Sequence, residues 1–383
     1  MKILYCAIDQ TVPGTTGGSV HVTAVAEGLA ALGHEVHVLV TPGDGPFPAG
    51  GANPVQWIPM APPLGARQLR WLRTGEVRRI VARLQPAVII ERYYNFGGEG
   101  ILAAAALGVR TMLEVNAPVI DYQGSPKQIL DRALVIQPLR RWRERICRSA
   151  DVIVTPSAAI LPADTPSSKV VVLEWGADTD RFRPDAGGAL PFTRPPGTVA
   201  VFAGAFRSWH GASNLVRAMR QLNERRVSGL SAVLIGQGPE FASVKAEAAG
   251  LQNVIFAGAV PHERMPACLA ASDIGVAPFD VDAHGPLSLG FYWSPLKIFE
   301  YMAAGLPVVA PALPRIASLA AHGTEALLYD PSQPETLADA LTALLDAPLR
   351  ARLGAAARAR AEREYSWAAH CRALDAALRR VRR

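Results

Sequence analysis

The stretch "SPLKIFEYMAAGLPVVAP", residues 294–311, reads as a short helix, a sharp stop and a buried strand. Ser294 can cap a helix by accepting from free backbone N–H groups, and Pro295 suits the first helical position. Gly305 fits a left-handed helix end, and Pro307 prevents continuation. The pattern therefore predicts a helix that ends directly before the strand "VVAP".

Glu300 is the only carboxylate of this stretch. At 3.6 residues per turn, Ile298 and Phe299 fall on one face, and Lys297 and Glu300 fall on the other. Two interpretations follow. Glu300 is either a solvated carboxylate that pairs weakly with Lys297 at i, i+3, or a side chain that faces a ligand. The surrounding sequence has to decide between them.

Strand and helix patterns alternate along the whole chain, which favours an α/β fold with parallel sheets. A first series of strands is predicted at 2–8, 35–40, 87–91, 111–115, 152–156 and 170–174. A second series is predicted at 198–205, 231–236, 253–258, 274–279 and 307–311. We expect two doubly wound domains, at 1–180 and 197–364, with a Gly/Pro-rich linker at 181–196. The helical pattern near the C-terminus breaks at Tyr365–Trp367.

Composition narrows the class of protein. Of the 383 residues, 50% are hydrophobic and 19% are charged, as in globular proteins. No apolar run approaches the roughly 20 residues that span a bilayer, and residues 1–14 lack signal-peptide features, so we expect a cytoplasmic protein. The four cysteines have no metal or redox spacing, which predicts reduced packing residues and no bound metal. The net charge of +6 favours anionic partners.

In open α/β sheets, ligands bind beyond the carboxyl ends of the strands. Free N–H groups at the start of the 294–304 helix, together with Lys297, can hold a phosphate. Glu300 can accept hydrogen bonds from a sugar diol. The loop that follows the strand "VFAGA" and Gly204 supplies two candidates, Arg207 and His210. The Arg207 guanidinium can hydrogen-bond to phosphate oxygens. The alternative is a surface arginine beside a packing histidine.

Two glycine turns allow a ligand to approach the backbone closely. They contain Gly236 and Gly238 in "LIGQGPE" and Gly17 and Gly18 in "GTTGGSVH". Neither has the G-x-G-x-x-G spacing, so NAD is not predicted. His21 is either a site residue or a helix cap. Val260 either borders a base or lies in a plain loop.

The segment 138–148 carries five arginines around Leu139, Trp142 and Ile146. Such a basic amphipathic helix either contacts anionic lipid, at the inner face of the membrane, or exposes a solvated face. No nucleic-acid-binding module is present in the sequence, so a nucleic acid partner is not expected.

The ordered succession of these motifs resembles glycosyltransferase family 4, whose members have the GT-B fold. The resemblance rests on "GHEVHV", "GADTDRFRP", "FAGAFRSWHG", "LIGQGPE", "FAGAVPHERMPACLAASDIGVAP" and "SPLKIFEYMAAGLPVVA". It implies two Rossmann-like domains facing across a cleft, with the last helix, 365–383, packing back on the N-terminal domain. The turn "SPLK" is similar to that of a sub-branch of the family.

The resemblance also implies roles for residues. Glu300 matches the second glutamate of the E-x7-E motif, which binds ribose, while the first falls on Tyr292. Pro295 and Leu296 match the loop whose amides meet the diphosphate, and Val260 matches the position beside the base.

Four further positions depart from the family pattern. The usual arginine and lysine after the "FAG" strand fall on Ala205 and His210, so Arg207 is expected to replace the arginine and His210 or Lys297 the lysine. Two frequent histidines of the N-terminal domain fall on Arg92 and Asn116. Asn116 is a candidate for catalysis on the sugar and acceptor side, and His21, Arg92, Glu114 and Tyr292 are candidates for the acceptor side.

The activity implied is a retaining, metal-independent transfer of a sugar from a nucleotide-diphosphate donor, with no cofactor beyond that co-substrate. The acceptor is a lipid-linked glycan, a polysaccharide or a small molecule. The alternatives are a non-catalytic nucleotide-sugar-binding subunit and a nucleotide-sugar epimerase on the same fold. A periplasmic solute-binding protein is disfavoured because a signal peptide is not evident.

Overall fold

The computed structural model describes residues 1–49, 53–333 and 335–381. These residues form two compact units. The first unit comprises Met1–Trp175, Tyr292–Ser294 and Trp367–Arg383, and the second comprises Gly176–Phe291 and Pro295–Ser366. The chain therefore leaves the first unit at Trp175, and the predicted linker 181–196 lies inside the second unit.

The first unit is built on a seven-stranded parallel sheet with the order β3-β2-β1-β4-β5-β6-β7. The strands are β1 (Lys2–Val12), β2 (Glu35–Pro42), β3 (Gln56–Pro59), β4 (Val88–Arg92), β5 (Arg110–Glu114), β6 (Val152–Thr155) and β7 (Val170–Val172). The helices are α1 (Gly17–Ala31), α2 (Thr74–Leu84), α3 (Glu99–Leu107), α4 (Pro126–Ala133), α5 (Pro138–Ser149) and α13 (Trp367–Val381). This order, which reverses beside β1, is that of a doubly wound Rossmann-like sheet.

The second unit has a six-stranded parallel sheet with the order β10-β9-β8-β11-β12-β13. The strands are β8 (Thr198–Ala203), β9 (Leu230–Ile235), β10 (Val254–Gly258), β11 (Ile274–Val276), β12 (Val308–Pro311) and β13 (Ala326–Tyr329). The helices are α6 (Ala212–Glu224), α7 (Phe241–Glu247), α8 (Met265–Ala270), α9 (Leu296–Ala303), α10 (Pro314–Leu319), α11 (Glu335–Ala343) and α12 (Ala347–Glu364). Here the order reverses between β8 and β11.

The cores of both sheets are apolar on both faces because helices cover them. In the first unit, Ile3, Tyr5 and Ala7 of β1 and Val22, Val25 and Leu29 of α1 have no exposed surface. In the second unit, a comparable cluster joins β8, β9 and α6 through Phe202, Leu234 and Leu215. The predicted α/β class with two Rossmann-like domains is confirmed.

The C-terminal break is also where the sequence predicts it. Helix α12 ends at Glu364 and α13 begins at Trp367. Leu374 and Leu378 of α13 join the core of the first unit beside α1. The last helix therefore returns to the N-terminal domain, as the resemblance implies.

In the described part of the chain, no helix combines the length and the apolar character needed to cross a membrane. Helix α5 covers the predicted basic amphipathic segment, but its apolar side is occupied: Ile146 and Cys147 are buried, and the Trp142 indole donates to the Gly97 carbonyl at 3.0 Å. Arg143, one of the five arginines, also points inward and forms an ion pair with Asp121. Ile146 and Cys147 of this helix are therefore not available to lipid.

Candidate nucleotide-sugar site

The switch point of the second sheet lies between β8 and β11, where the connections run to opposite faces. The loop 204–211 follows β8, and α9 is the helix that follows β11. Ligands of doubly wound sheets bind in the crevice at this position, beyond the carboxyl ends of the strands. The candidate residues Gly204, Arg207, His210, Lys297 and Glu300 all lie on these two segments.

Lys297 lies in the first turn of α9 and is only 9% exposed. Its ammonium nitrogen is 4.3 Å from the centre of the Phe202 ring and 5.1 Å from that of Phe279. Among the described residues, it has no hydrogen-bond partner. Burial lowers the pKa of Lys297 to about 7, although Glu300 opposes the shift. A buried ammonium without a partner is costly, and an anion would satisfy it.

Gly204 faces the same point as Lys297. A Cβ at Gly204 would lie 2.8 Å from the Lys297 Nζ and 3.4 Å from the His210 Nδ1, so no other residue fits here without displacing them. His210 Nδ1 also lacks a hydrogen-bond partner in the described residues. Burial, reinforced by the Lys297 charge, lowers the pKa of His210 to about 3, although a hydrogen bond to the Ala205 backbone opposes the shift. The ring is therefore neutral near pH 7, and its single N–H donates to the Ala205 carbonyl. The Lys297 Nζ and the His210 Nδ1, neither of which has a hydrogen-bond partner among the described residues, thus lie close together beside the Gly204 backbone.

Glu300 lies one turn further along α9 and is partly buried. Its Oε1 is 3.2 Å from the Nε2 of His262, whose ring packs against Phe182 with centroids 5.5 Å apart. No ion pair joins it to Lys297 in the described parts of the chain, so the predicted i, i+3 pair is absent. His262 was not among the predicted site residues, although His262 lies two residues after the candidate Val260 in the chain. The imidazole fixes one carboxylate oxygen and leaves the other for a ligand.

Arg207 is exposed at the edge of the site. Its guanidinium lies over the Trp209 ring, 5.2 Å from the ring centre, and its charge contributes to lowering the pKa of His210. Arginine is suited to bind phosphate from such a stacked position because its planar fork stays available for hydrogen bonds.

The glycines of "LIGQGPE" pack closely against the backbone of the 204–211 loop. A Cβ at Gly236 would lie 1.9 Å from the Gly204 carbonyl, and one at Gly238 would lie 2.6 Å from that of Phe206. The Phe206 N–H donates to the Gln237 carbonyl at 3.0 Å. Gly236 and Gly238 therefore support the 204–211 loop by close packing.

The prediction that Ser294 caps the helix was wrong. Helix α9 begins at Leu296, after Pro295, and no side chain caps it. Ser294 instead belongs to the first unit, where its hydroxyl donates to Glu174 at 2.6 Å and accepts from the Trp175 N–H at 2.9 Å. The first amides of α9 are thus not capped by a side chain of the described residues.

Val260, the position that the resemblance places beside the base, is partly buried and follows β10.

In the first unit, Glu114 is the centre of a buried polar cluster at the carboxyl ends of β1, β4 and β5. It accepts from Tyr5 at 2.5 Å and from the Asn116 amide at 2.5 Å, and it lies 3.4 Å from Arg92. Burial raises its pKa, which the Arg92 charge opposes. With three donors on one carboxylate, Glu114 holds its neighbours in place.

Asn116 and Arg92 take their positions from this cluster. The Asn116 carbonyl accepts from the Trp175 indole at 3.0 Å, so both ends of its amide are occupied. Arg92 is 8% exposed and lies 3.6 Å from the Asp9 carboxylate. The catalytic role of Asn116 stays a prediction, and the structure shows its amide held between Glu114 and Trp175.

His21 has no exposed surface and packs against the Trp175 ring with centroids 4.3 Å apart. Burial and the Arg92 charge hold its pKa well below its usual range, so it is neutral. It does not cap α1, because Thr16 does so by accepting from the Ser19 N–H at 3.2 Å.

The remaining candidates, Gly17, Gly18 and Tyr292, also lie in the first unit. A Cβ at Gly18 would collide with the Gln10 side chain, so this turn is closely packed. Tyr292 is 4% exposed beside Trp293, and burial raises its pKa to about 12. The phenol stays neutral and does not reproduce the charge of the glutamate that the resemblance expects there.

Two Rossmann-like domains in one chain are the architecture of the GT-B glycosyltransferases. Comparisons with known proteins agree. Residues 15–181 match the model "Glycosyltransferase Family 4", and residues 197–347 match "Glycosyl transferases group 1". Together the two matches cover most of the chain, which is therefore similar to family 4 glycosyltransferases in both of its domains.

Among curated proteins, the chain is 29% identical over 266 residues to the D-inositol 3-phosphate glycosyltransferase of Corynebacterium aurimucosum, covering 64% of this chain and 61% of that protein. Among solved structures, the sucrose-phosphate synthase of Thermosynechococcus elongatus has a TM-score of 0.75 at 20% identity, covering 99% and 98% of the two chains. The Anabaena protein HepE, in complex with UDP-glucose, has a TM-score of 0.69 at 18% identity, covering 99% and 100%. These likenesses confirm the fold.

Proposed function

We propose that this chain is a retaining glycosyltransferase that moves a sugar from a nucleotide-diphosphate donor to an acceptor hydroxyl. The observation that carries the proposal is the buried Lys297 ammonium, which lacks a partner beside Gly204 and His210. A diphosphate supplies the anionic oxygens that the buried ammonium needs. The relative from Corynebacterium aurimucosum is a glycosyltransferase, which supports the same class of reaction.

The donor has a natural orientation in the second unit. The diphosphate lies between the free amides of Leu296 and Lys297 and the loop that carries Arg207. Glu300, held by His262, accepts from the ribose diol, and Val260 borders the base. Each group thus meets the part of a nucleotide whose chemistry it complements.

Transfer requires stabilisation of the charge that develops on the departing phosphate. Lys297, Arg207 and the first amides of α9 are arranged to provide it, while His210 borders Lys297 as a neutral ring, because fixed donors in a site with little water stabilise charge strongly. We assign no protein nucleophile. In the proposed step the acceptor oxygen bonds to the anomeric carbon from the face that the phosphate leaves, and a phosphate oxygen takes the acceptor proton, which gives retention without a metal or further cofactor.

The first unit is proposed to hold the acceptor at the cluster around Glu114, where Arg92 is the charged group nearest to solvent. Asn116 and His21 position this cluster from within. The acceptor is a lipid-linked glycan, a polysaccharide or a small molecule, and assays with each class will distinguish them.

The test is a thermal-shift panel of UDP-, GDP- and ADP-sugars, followed by mass spectrometry with and without acceptors. A donor with a micromolar Kd at millimolar concentration should stabilise the protein by about 4 kcal/mol. Glu300→Ala should lose this shift, whereas the control Glu263→Ala, an exposed carboxylate beside His262, should keep it.

The outcomes separate the alternatives. Conversion of the donor to another nucleotide sugar without acceptor would indicate an epimerase. Binding without turnover across the acceptor panel would indicate a non-catalytic subunit. No stabilisation by any nucleotide sugar would refute the proposal.

A further inference from the structure

A surface of the first unit exposes aliphatic side chains that the proposed reaction does not use. It consists of α4, the turn 134–137 and the neighbouring 3-10 helix Arg67–Arg73. We call it the α4 face and define it by Ile129, Leu130, Leu134, Val135, Ile136 and Trp71. Val135 is 82% exposed, Ile136 61% and Ile129 59%.

The α4 face is continuous rather than a set of scattered residues. The turn leads directly into Pro138 and Leu139, which line an apolar pocket of about 300 Å³ together with Trp71, Phe96 and Trp142. The Trp71 and Trp142 rings lie 6.4 Å apart. Monomeric soluble proteins rarely expose contiguous apolar surface of this kind without an interaction that covers it.

The turn presents these side chains through an unusual backbone. Val135 has φ of 57° and Gln137 has φ of 48°, both in the left-handed region. A β-branched residue rarely adopts this conformation, and such strain is concentrated at functional sites. The three consecutive residues Leu134, Val135 and Ile136 are exposed together as a result.

The charge around the α4 face is strongly positive. Residues 126–149 contain seven basic and two acidic side chains, which gives this segment a net charge of +5. The net charge of the whole chain is +6. Arg132, Arg141 and Arg145 are exposed and form no ion pair with any residue that the structure describes. The face therefore combines aliphatic side chains with free guanidinium groups, which is the composition of an interfacial lipid-binding surface.

A polar pocket borders the α4 face on the same two helices. Its volume is about 580 Å³, and its lining contains Arg132 and Arg140 together with the carboxylates Asp121, Asp131, Glu144 and Asp164. Gln137 also lines this pocket and directly follows Ile136 in the chain, so the aliphatic turn ends at a polar surface. The carboxylates make the pocket unsuited to an anionic headgroup, so the headgroup contacts are assigned to the exposed arginines.

We propose that the α4 face docks on an anionic lipid bilayer, inserting the aliphatic side chains of the turn while the arginines contact the headgroups. The proposal goes beyond the transfer reaction and centres on α4 and the turn 134–137, to which Leu139 and Trp142 at the start of α5 add the lining of the apolar pocket.

The test is co-sedimentation with vesicles of equal parts phosphatidylglycerol and phosphatidylcholine, measured without donor. The wild-type chain should bind these vesicles, bind pure phosphatidylcholine at least tenfold more weakly, and be released by 0.5 M NaCl. Val135→Asp/Ile136→Asp should weaken binding at least tenfold. Arg132→Glu/Arg141→Glu should also do so, since each basic side chain near the surface contributes roughly fivefold.

Matched controls keep the test specific. Leu32→Asp/Leu107→Asp changes two leucines of the first unit that are each 41% exposed outside the α4 face. Arg78→Glu/Arg83→Glu reverses two exposed arginines of α2. Both should bind vesicles as the wild type does, and donor stabilisation should be unchanged in all four variants, which shows that they fold and separates this inference from the proposed function.

Wild-type binding that Val135→Asp/Ile136→Asp leaves intact would overturn the proposal, as would no binding to anionic vesicles. A dimer in vesicle-free buffer that the same substitutions dissociate would overturn it in favour of a second copy of the chain. Light scattering at several protein concentrations makes this distinction.

Discussion

The buried charge of Lys297 leads to a quantitative prediction. On folding, its pKa falls from the ordinary 10.5 to about 7 because the side chain leaves water. The unfolded chain therefore binds this proton more tightly than the native one. The resulting cost to the native state is about 4 kcal/mol near pH 7 and decreases by up to about 1.4 kcal/mol per pH unit between pH 7 and 10.5.

Lys297→Met should remove this cost. Methionine has nearly the volume of lysine and is apolar, so it can fill the space between Phe202 and Phe279. We expect the ligand-free variant to be more stable than the wild type by between about 2 and 4 kcal/mol at pH 7, with the difference vanishing toward pH 10.5. The same variant should lose most of the stabilisation by a nucleotide-sugar donor.

The assay is urea unfolding at pH 6, 7, 8 and 9 with and without donor. Lys245→Met, which changes an exposed lysine of α7, serves as the control and should stay within about 0.5 kcal/mol of the wild type at every pH. A Lys297→Met variant that is less stable than the wild type at pH 7 would refute the reasoning. So would an unchanged pH dependence, because the native pKa of Lys297 would then not be lowered.

Further predictions concern ligand binding and stability. Donor affinity, measured by calorimetry, should be constant below about pH 7 and fall up to tenfold per pH unit above it, because a diphosphate binds the protonated Lys297; a flat profile would contradict this. Glu300→Ala should weaken nucleotide-sugar binding about 10- to 100-fold through the lost diol hydrogen bonds and leave inorganic pyrophosphate binding unchanged; equal losses for both ligands would contradict the diol assignment. Glu114→Leu should lower the free energy of unfolding by about 3 kcal/mol or more, since it leaves buried donors unpaired, which urea titration would detect; a loss below 1 kcal/mol would argue against the cluster. Gly236→Ala should reduce donor-induced stabilisation because its Cβ displaces the Gly204 carbonyl; full retention of the shift would show that the loop adapts.

Much of the fold could be predicted from the sequence because both sheets bury strongly apolar strands. All eleven predicted strands are present, and the helix break near Ser366 is where the pattern places it. The two missed strands, β3 and β13, are four residues long and carry no alternating pattern. Such a short segment becomes a strand because it pairs with a neighbouring strand of the sheet. The local sequence pattern carries no information about that neighbour.

The candidate site could be predicted only in part. Gly204, His210, Lys297 and Glu300 do come together, since helix position and strand order bring them there. A helical wheel, however, placed Lys297 beside Glu300 on a polar face, while the structure encloses it between two phenylalanine rings. Tertiary neighbours from distant strands decide such burial.

Local capping rules failed at Ser294 for a related reason. Its hydroxyl has stronger partners 119 and 120 positions away, at Trp175 and Glu174. His262 was missed because an isolated histidine in a loop has no periodic signal, and its role appears only through its distance to Glu300. The sequence thus indicated the segments of the site more reliably than the contacts within it.

The close packing of Gly236 and Gly238 against the 204–206 backbone bears on how donor preference could change. Side chains are excluded from that interface whatever nucleotide is bound, so these glycines would be retained in variants that select different donors. Redesign of the preferred base or sugar should therefore begin at positions with room for a new side chain, such as Val260, and leave the two crowded turns unaltered.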